Sequence, residues 1–275
     1  MNIKKVFLVY FSPGGNTKKV LRIIGGEIEK KLGLSVQEVD FTLPKMRETQ
    51  YSFEHDDLII FGTPTYAGRI PNKILPFVQN SFSADAAAAV AITTFGNRNF
   101  DSSPAELSQE LANSGFRVFA AASFACQHHF SSKIGTNRPD EKDVGEIKDF
   151  TAKIIGKLTC EAELCKEKNI LLCAEVKPYY IPLGIDGNPA KFLKAVPGTN
   201  MDKCDRCGMC IAVCPMGIIA GDIETITGAC IKCQACVVNC HTQAKYFDDK
   251  AFLSHVKMLE ENYTSRADNF TLIAK

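Results

Sequence analysis

Apolar positions in the first 160 residues switch repeatedly between two periods. KVFLVYF (5–11), LSVQEVD (34–40), DLIIFG (57–62), AAAAVAIT (86–93) and FRVFAAASF (116–124) read as strands: continuous apolar runs, or alternation of period two. Between them, residues 16–31 place Val20, Ile23, Ile24 and Ile28 at helical spacing. Pro71 opens a predicted helix over PNKILPFVQN, and 103–114 and 139–158 also carry helical patterns. Five strand–helix repeats predict an α/β architecture, a doubly wound parallel sheet with helices on both faces.

The alternation stops at about 160. Residues 160–200 hold Pro178, Pro182, Pro189, Pro197 and several glycines after one short apolar stretch, ILLCAEV, and read as a connector. Further on, AFLSHVKMLEE (251–261) reads as a helix and the last dozen residues as a tail.

Composition narrows the functional classes. A net charge of +1, with no basic stripe among aromatics, gives no electrostatic footprint for nucleic acid. The longest apolar runs fall far short of a membrane span. MNIKKVFLVYF has a basic start, yet it runs directly into a Gly-rich turn, so it reads as a buried first strand and not a leader peptide. The expectation is a cytoplasmic protein without membrane insertion.

Of the 12 cysteines, eight fall between 204 and 240, which in a reducing compartment points to metal and not to disulfides. Cys126, Cys160, Cys165 and Cys173 are scattered and form no ligand pattern. CDRCGMCIAVCP (204–215) and CIKCQACVVNCH (230–241) are one unit repeated. Each is C-x2-C-x2-C-x3-C, in which three thiolates converge on one iron–sulfur cubane and the fourth reaches the partner cluster. Cys204, Cys207 and Cys210 thereby share a cluster with Cys240, and Cys230, Cys233 and Cys236 share the other with Cys214. Gly208 and Ala235 read as small residues in matching places, letting each loop wrap closely. Structural zinc is the competing reading, but it takes paired C-x2-C ligands in fours, a different grouping.

Residues 199–250 thus resemble a bacterial 2[4Fe-4S] ferredoxin. They depart from it at His241, which stands where the first run has Pro215. An N–H or a charge beside cluster sulfur would raise the potential of the Cys204 cluster. The plainer reading is a tolerated surface change.

SPGGNT (12–17) closes the first strand and opens the first helix, where free N–H groups and the helix dipole suit a phosphate. It has neither the Walker lysine nor G-x-G-x-x-G. TPTYAGRIPN (63–72) and TFGNRNFD (94–101) end later strands, so all three loops gather at the carboxyl edge where such sheets bind ligands. This arrangement resembles flavodoxin, and the whole chain is similar to fused proteins with an N-terminal flavodoxin-like domain and a C-terminal two-cluster ferredoxin domain.

That resemblance implies a five-stranded flavodoxin-like sheet over 1–160, a connector over 161–198, a small α+β ferredoxin domain over 199–250, and a helix and tail over 251–275. It implies FMN, with Ser12, Gly15, Asn16 and Thr17 at the phosphate. Thr63, Pro64, Thr65, Tyr66 and Gly68 would line one side of the ring, and Gly96, Asn97, Arg98 and Phe100 the other. Gly14 departs from the family's threonine and removes one hydroxyl donor. Arg98 reads either as a charge favouring flavin reduction or as a solvated arginine. His128 and His129, with Cys126 close by, read as packing residues, the alternative being contacts to the flavin or proton transfer at its edge. The implied function is electron relay between two [4Fe-4S] clusters and FMN for an external redox partner. Two alternatives are a flavin-dependent reductase fed through the clusters, and an iron–sulfur carrier whose flavodoxin-like half is a docking platform without flavin. No substrate-specific catalytic motif is present.

Overall fold

The computed structural model describes residues 3–159 and 170–274. The chain begins with β1 (Lys5–Tyr10), α1 (Asn16–Leu32), β2 (Val36–Asp40), β3 (Tyr51–Phe53) and β4 (Asp57–Pro64). It continues with α2 (Leu75–Asn80), β5 (Phe82–Ala84), β6 (Ala88–Phe95), α3 (Ser103–Asn113), β7 (Arg117–Ala125) and α4 (Glu141–Thr159). The last part holds β8 (Gly198–Thr199), α5 (Met209–Ala212), α6 (Ala235–Val238), β9 (Lys245–Tyr246), α7 (Lys250–Asn262) and β10 (Phe270–Ile273).

The main sheet has the order β10-β7-β6-β4-β1-β2, and its five strands from β7 to β2 are parallel. Counting only those five in chain order gives 2-1-3-4-5, the flavodoxin-like order. Side-chain alternation divides each strand between two cores. Val6, Leu8, Leu58, Ile60, Val90 and Ile92 pack with Val20, Leu21, Ile24 and Ile28 of α1 and Ile147, Phe150 and Ile154 of α4. Val9, Ile59, Phe61, Ala89 and Ala91 face the opposite way, onto Val78 of α2 and Leu107 and Leu111 of α3. Burial on both faces explains why these strands are apolar throughout, each fully buried Leu or Ile contributing about 2 kcal/mol.

The sheet has six strands where the pattern predicted five. β10 pairs antiparallel with β7, Phe270 opposite Ser123 and Ile273 opposite Ala120, and so covers what would be an exposed edge. The expected tail is this strand; four residues are too few for a period, and only the long-range pairing makes them β. The helix predicted from Pro71 is regular only over Leu75–Asn80, after a turn closed by Ile74 N–H to the Pro71 carbonyl at 2.8 Å. ILLCAEV contributes only a 3₁₀ turn, Ile170–Cys173. Cys160 and Cys165 lie outside the described residues, and Cys173 is exposed.

The later connector is fastened to the first half. Gln109 Nε2 donates to the carbonyls of Leu171 (2.9 Å) and Ala174 (2.7 Å). The Tyr179 hydroxyl donates to the Ile70 carbonyl at 2.8 Å, and Tyr180 N–H to the Ala67 carbonyl at 2.8 Å. These contacts draw the connector across the carboxyl edge of the sheet.

In the cysteine-rich part, β8 and β9 pair antiparallel and α5 and α6 are equivalent single turns. The residues preceding them, Gly208 (φ 73°) and Gln234 (φ 63°), are both left-handed. Gly208 therefore corresponds to Gln234 and not to Ala235, which opens α6 as Met209 opens α5. Among the described residues no helix is long and apolar enough to cross a membrane.

Candidate cofactor sites

The eight clustered cysteines surround two small cavities. Cys204, Cys207, Cys210 and Cys240 line one, and Cys214, Cys230, Cys233 and Cys236 the other. The fourth member of each set crosses over from the other repeat, as the x3 spacing predicts. Burial pushes the Cys236 thiol up to about 12 and Cys233 higher still, so these thiols release protons when they take up metal. Around them, Lys232 N–H points at Cys230 Sγ (3.4 Å) and Ala244 N–H at Cys240 Sγ (3.2 Å).

A buried cation gives an independent test of fit. Lys245 is 4% exposed, and its Nζ donates at 2.6 Å to both Thr199 Oγ1 and the Ile223 carbonyl. Among the described residues it pairs with no carboxylate, although it lines the Cys204 cavity. An ammonium so placed calls for an anion nearby, and a cluster held by four thiolates supplies one. Lys245 carries no local sequence signature; only β8–β9 pairing brings it to the cysteines.

The two repeats end differently. The Pro215 carbonyl accepts a hydrogen bond from Arg47 Nη2, and Arg47 also donates to the Phe41 carbonyl at 3.1 Å, so this end faces the α/β half. His241 faces outward, with Nε2 2.8 Å from Asp205 Oδ2 and Nδ1 4.0 Å from Cys207 Sγ. The departure from proline thus lies against the Cys204 set.

A third cavity, of about 240 Å³, opens at the carboxyl ends of β1, β4 and β6. Of the residues expected at a flavin, Ser12, Asn16, Thr17, Pro64, Thr65, Tyr66, Gly68, Gly96 and Arg98 line it. Gly15, Thr63, Asn97 and Phe100 do not. Gly15 (φ 88°) shapes the turn before α1, and Thr63 is wholly buried within β4. Asn97 turns to the C-terminal segment, its Nδ2 donating to the carbonyls of Tyr263 and Ser265, both at 2.8 Å. Phe100 packs between Phe95 and Phe270. These side chains are claimed by neighbours distant in sequence, which a loop motif does not show.

The lining fits an anionic ligand. It contains Arg98 and Lys232 but no Asp or Glu. The backbone N–H groups of Asn16 and Thr17 open α1 and, among the described residues, bond to no protein acceptor. Ser12 Oγ accepts Lys18 N–H at 3.0 Å and keeps its own proton to donate. Thr17 Oγ1 and Thr94 Oγ1 share one proton at 2.8 Å, which frees the other. Apolar walls are supplied by Tyr66, Phe130, Phe192 and Leu259.

The Tyr66 loop is held in place from outside the cavity. Ala67 (φ 50°) and Gly68 (φ 81°) form a tight primed turn closed by mutual hydrogen bonds between Tyr66 and Arg69. A Cβ at Gly68 would come within 2.5 Å of Asp101 Oδ2. Arg69 pairs with buried Glu106, whose other oxygen accepts Ile70 N–H at 2.8 Å. Arg98 is neither free nor solvated: it pairs with Asp101 and stacks on Tyr180 with its guanidinium 4.0 Å from the ring centre.

Two histidines cover two glycines. A Cβ on Gly96 would lie 2.3 Å from His128 Cδ2, and one on Gly14 would lie 1.7 Å from His129 Cε1. Burial pushes His128 down to about 3, with His129 and His255 adding to the effect, so it is neutral at pH 7. His128 Nδ1 accepts Phe130 N–H at 3.1 Å. Cys126 is buried, its thiol pushed up to about 12.

The far wall of this cavity comes from the cysteine repeat: Ile231, Lys232 and Cys233. Burial raises the Tyr66 phenol well above its ordinary value, and the sulfurs of Cys233 and Cys230 add to the rise. Two residues, Ile231 and Cys233, therefore belong to both the Cys230 cavity and the α/β cavity, and Cys233 is the cysteine they share.

Two family models described as "4Fe-4S binding domain" match residues 196–219 and 227–243. No curated protein matches the sequence significantly. Among solved structures, a flavodoxin from the domain Archaea is 21% identical, covering 56% of this chain and 99% of its own, with a TM-score of 0.41. Flavodoxin 2 from Bacillus cereus is 16% identical over 56% of this chain and 99% of its own (TM-score 0.38). The rubredoxin oxygen:oxidoreductase of Desulfovibrio gigas is 19% identical over 58% of this chain and 38% of its own (TM-score 0.39). The iron–sulfur domains carry an electron-transfer role. A parallel sheet in the flavodoxin-like order 2-1-3-4-5 thus precedes two segments that match 4Fe-4S binding domains.

Proposed function

We propose that the chain relays electrons between its two [4Fe-4S] clusters and an FMN held in the α/β cavity, on behalf of an external redox partner. A cluster passes single electrons, and a flavin exchanges one or two, so the pair links the two regimes. One observation carries the reading: Cys233 lines both the cavity of its own cysteine set and the cavity of the α/β loops. In this reading Cys214, Cys230, Cys233 and Cys236 hold the cluster next to the flavin. Cys204, Cys207, Cys210 and Cys240 hold the outer one, whose exposed Cys207 and His241 lie on the side open to a partner.

The chain's own residues set the conditions for transfer. Lys232 is fixed between the sites, its Nζ donating to the Leu193 carbonyl and, at 2.9 Å, to the Cys230 carbonyl. The connector closes the cavity with Tyr180 and Phe192, and α7 closes it with His255 and Leu259. His255 is itself set by a 2.8 Å hydrogen bond to the Leu183 carbonyl and by stacking on Phe192.

The test counts iron, sulfide and flavin on one anaerobic sample and then follows flavin reduction by a one-electron donor. About eight irons and one FMN, with reduction abolished in Cys233→Ala while the Cys204 cluster persists, supports the relay. Eight irons and no flavin uptake would leave an iron–sulfur carrier. The aromatic end of the cavity, with His255 and Phe192 beyond the loops, favours a second reading as a flavin-dependent reductase. Turnover of a small acceptor with no partner protein present would establish that reading instead.

A further inference from the structure

We propose that His129 is a phosphate-binding residue of the flavin cavity, its imidazole taking the place that a side chain at position 14 would fill. The inference rests on the FMN reading above. The ring stands directly over the bare glycine: a Cβ there would lie 1.7 Å from Cε1, 2.2 Å from Nδ1 and 2.7 Å from Nε2. Position 14 and His129 therefore compete for one space, and this chain gives it to the histidine.

The hydrogen-bond network assigns the proton. Asn16 Nδ2 donates to the Gln127 carbonyl at 3.0 Å, which identifies that atom as the amide nitrogen. The same nitrogen lies 3.2 Å from His129 Nε2, so Nε2 is the acceptor. Burial holds His129 below the ordinary histidine range, and the neutral ring then carries its proton on Nδ1. Among the described residues, Nδ1 has no partner. It adds a donor beside the N–H groups of Asn16 and Thr17 and the Ser12 hydroxyl, in a cavity lined by no carboxylate. A phosphate monoester is the ligand chemistry that uses such a set. In this arrangement the phosphate reinforces the link that Asn16 already makes between the start of α1 and the loop after β7.

The experiment titrates cluster-loaded protein, freed of flavin, with FMN and separately with riboflavin, reading quenching of flavin fluorescence. His129→Ala, Gly14→Thr and the double variant are compared, with melting temperature and iron content as folding controls. The wild type is expected to prefer FMN. His129→Ala is expected to lose about tenfold or more in FMN affinity, the range for a hydrogen bond to a charged group, with riboflavin unchanged. Gly14→Thr loses FMN binding through the collision, and the double variant recovers it, because the threonine hydroxyl then occupies the vacated space. Equal losses for FMN and riboflavin in His129→Ala, no loss at all, or no recovery in the double variant would overturn the proposal. Wild-type binding of riboflavin as tight as FMN would also overturn it while leaving the flavin reading intact. Binding of neither would overturn the flavin reading, and this proposal with it.

Discussion

Arg138 and Asp143 form a buried ion pair, Nη2 to Oδ1 at 2.7 Å and Nε to Oδ2 at 3.0 Å, with side chains 3% and 0% exposed. The pair is also a junction. Arg138 Nη1 donates to Asn97 Oδ1 at 2.9 Å and to the Ala267 carbonyl at 2.7 Å, and Arg266 Nη2 reaches Asp143 Oδ1 at 2.8 Å. The loops after β6 and β7 and the segment leading to β10 thus meet at one bidentate contact. Asp143→Asn leaves a buried guanidinium short of its anion and is expected to cost about 3 kcal/mol. A double change, Arg138→Met with Asp143→Leu, removes both charges and is expected to cost less than the single one. Chemical denaturation of the three proteins measures the difference.

The same junction sets an acid limit. Burial pushes the Asp143 carboxyl up, but hydrogen bonds from Arg138 and Asn269 outweigh it and hold the group below the ordinary carboxylate range. Asp140, bonded to Arg266, is held low as well. A depressed folded value means that the stabilisation is complete above the unfolded value of about 3.9 and is lost as pH falls through the folded one. Melting temperature is therefore expected to drop below about pH 4, and the drop should be smaller in Asp143→Asn. Identical pH profiles would show that the junction contributes nothing.

Asn97 separates a structural from a cofactor role. Its side chain spends its groups on Tyr263, Ser265, Ala267 and Arg138, and none on the cavity. Asn97→Ala is expected to speed amide exchange in residues 263–273 while leaving FMN affinity within about threefold, less than one hydrogen bond to a charge. Complete loss of flavin with unchanged exchange would place Asn97 at the ligand after all.

Lys245 puts a buried positive charge beside the cysteine cavities, lowering the thiol pKa of Cys210 and Cys236 against the effect of burial. Lys245→Met is expected to lower cluster potentials by tens of millivolts, 59 mV corresponding to about 1.4 kcal/mol for one electron. Potentiometric titration followed by electron paramagnetic resonance reads the shift, and unchanged potentials would remove Lys245 from the tuning set.

His241→Pro removes a ring whose Nδ1 lies 4.0 Å from Cys207 Sγ and whose Nε2 is bonded to Asp205. The expected result is a lower potential for the Cys204 cluster and almost no change for the Cys230 cluster. Equal potentials in the two proteins would make His241 a tolerated surface residue.

Local and periodic features were legible along the chain. Continuous apolar strands revealed a sheet buried on both faces, because such a sheet needs no polar alternation. The cysteine spacing gave the crosswise grouping of Cys214 and Cys240, because a cubane's geometry is written in intervals of three. What depended on pairing between distant segments was not legible. β10 is a strand only because β7 offers it an edge, and Asn97 stands in a loop that suits a ring-lining residue while the C-terminal segment claims its side chain. Gly14 read as a lost hydroxyl, whereas the fold fills its place with a ring from position 129. The sequence determined the kinds of site this protein contains. The tertiary structure decided which residues complete them and that Cys233 joins two of them, because side-chain competition for space and partners arises only once distant loops have packed together.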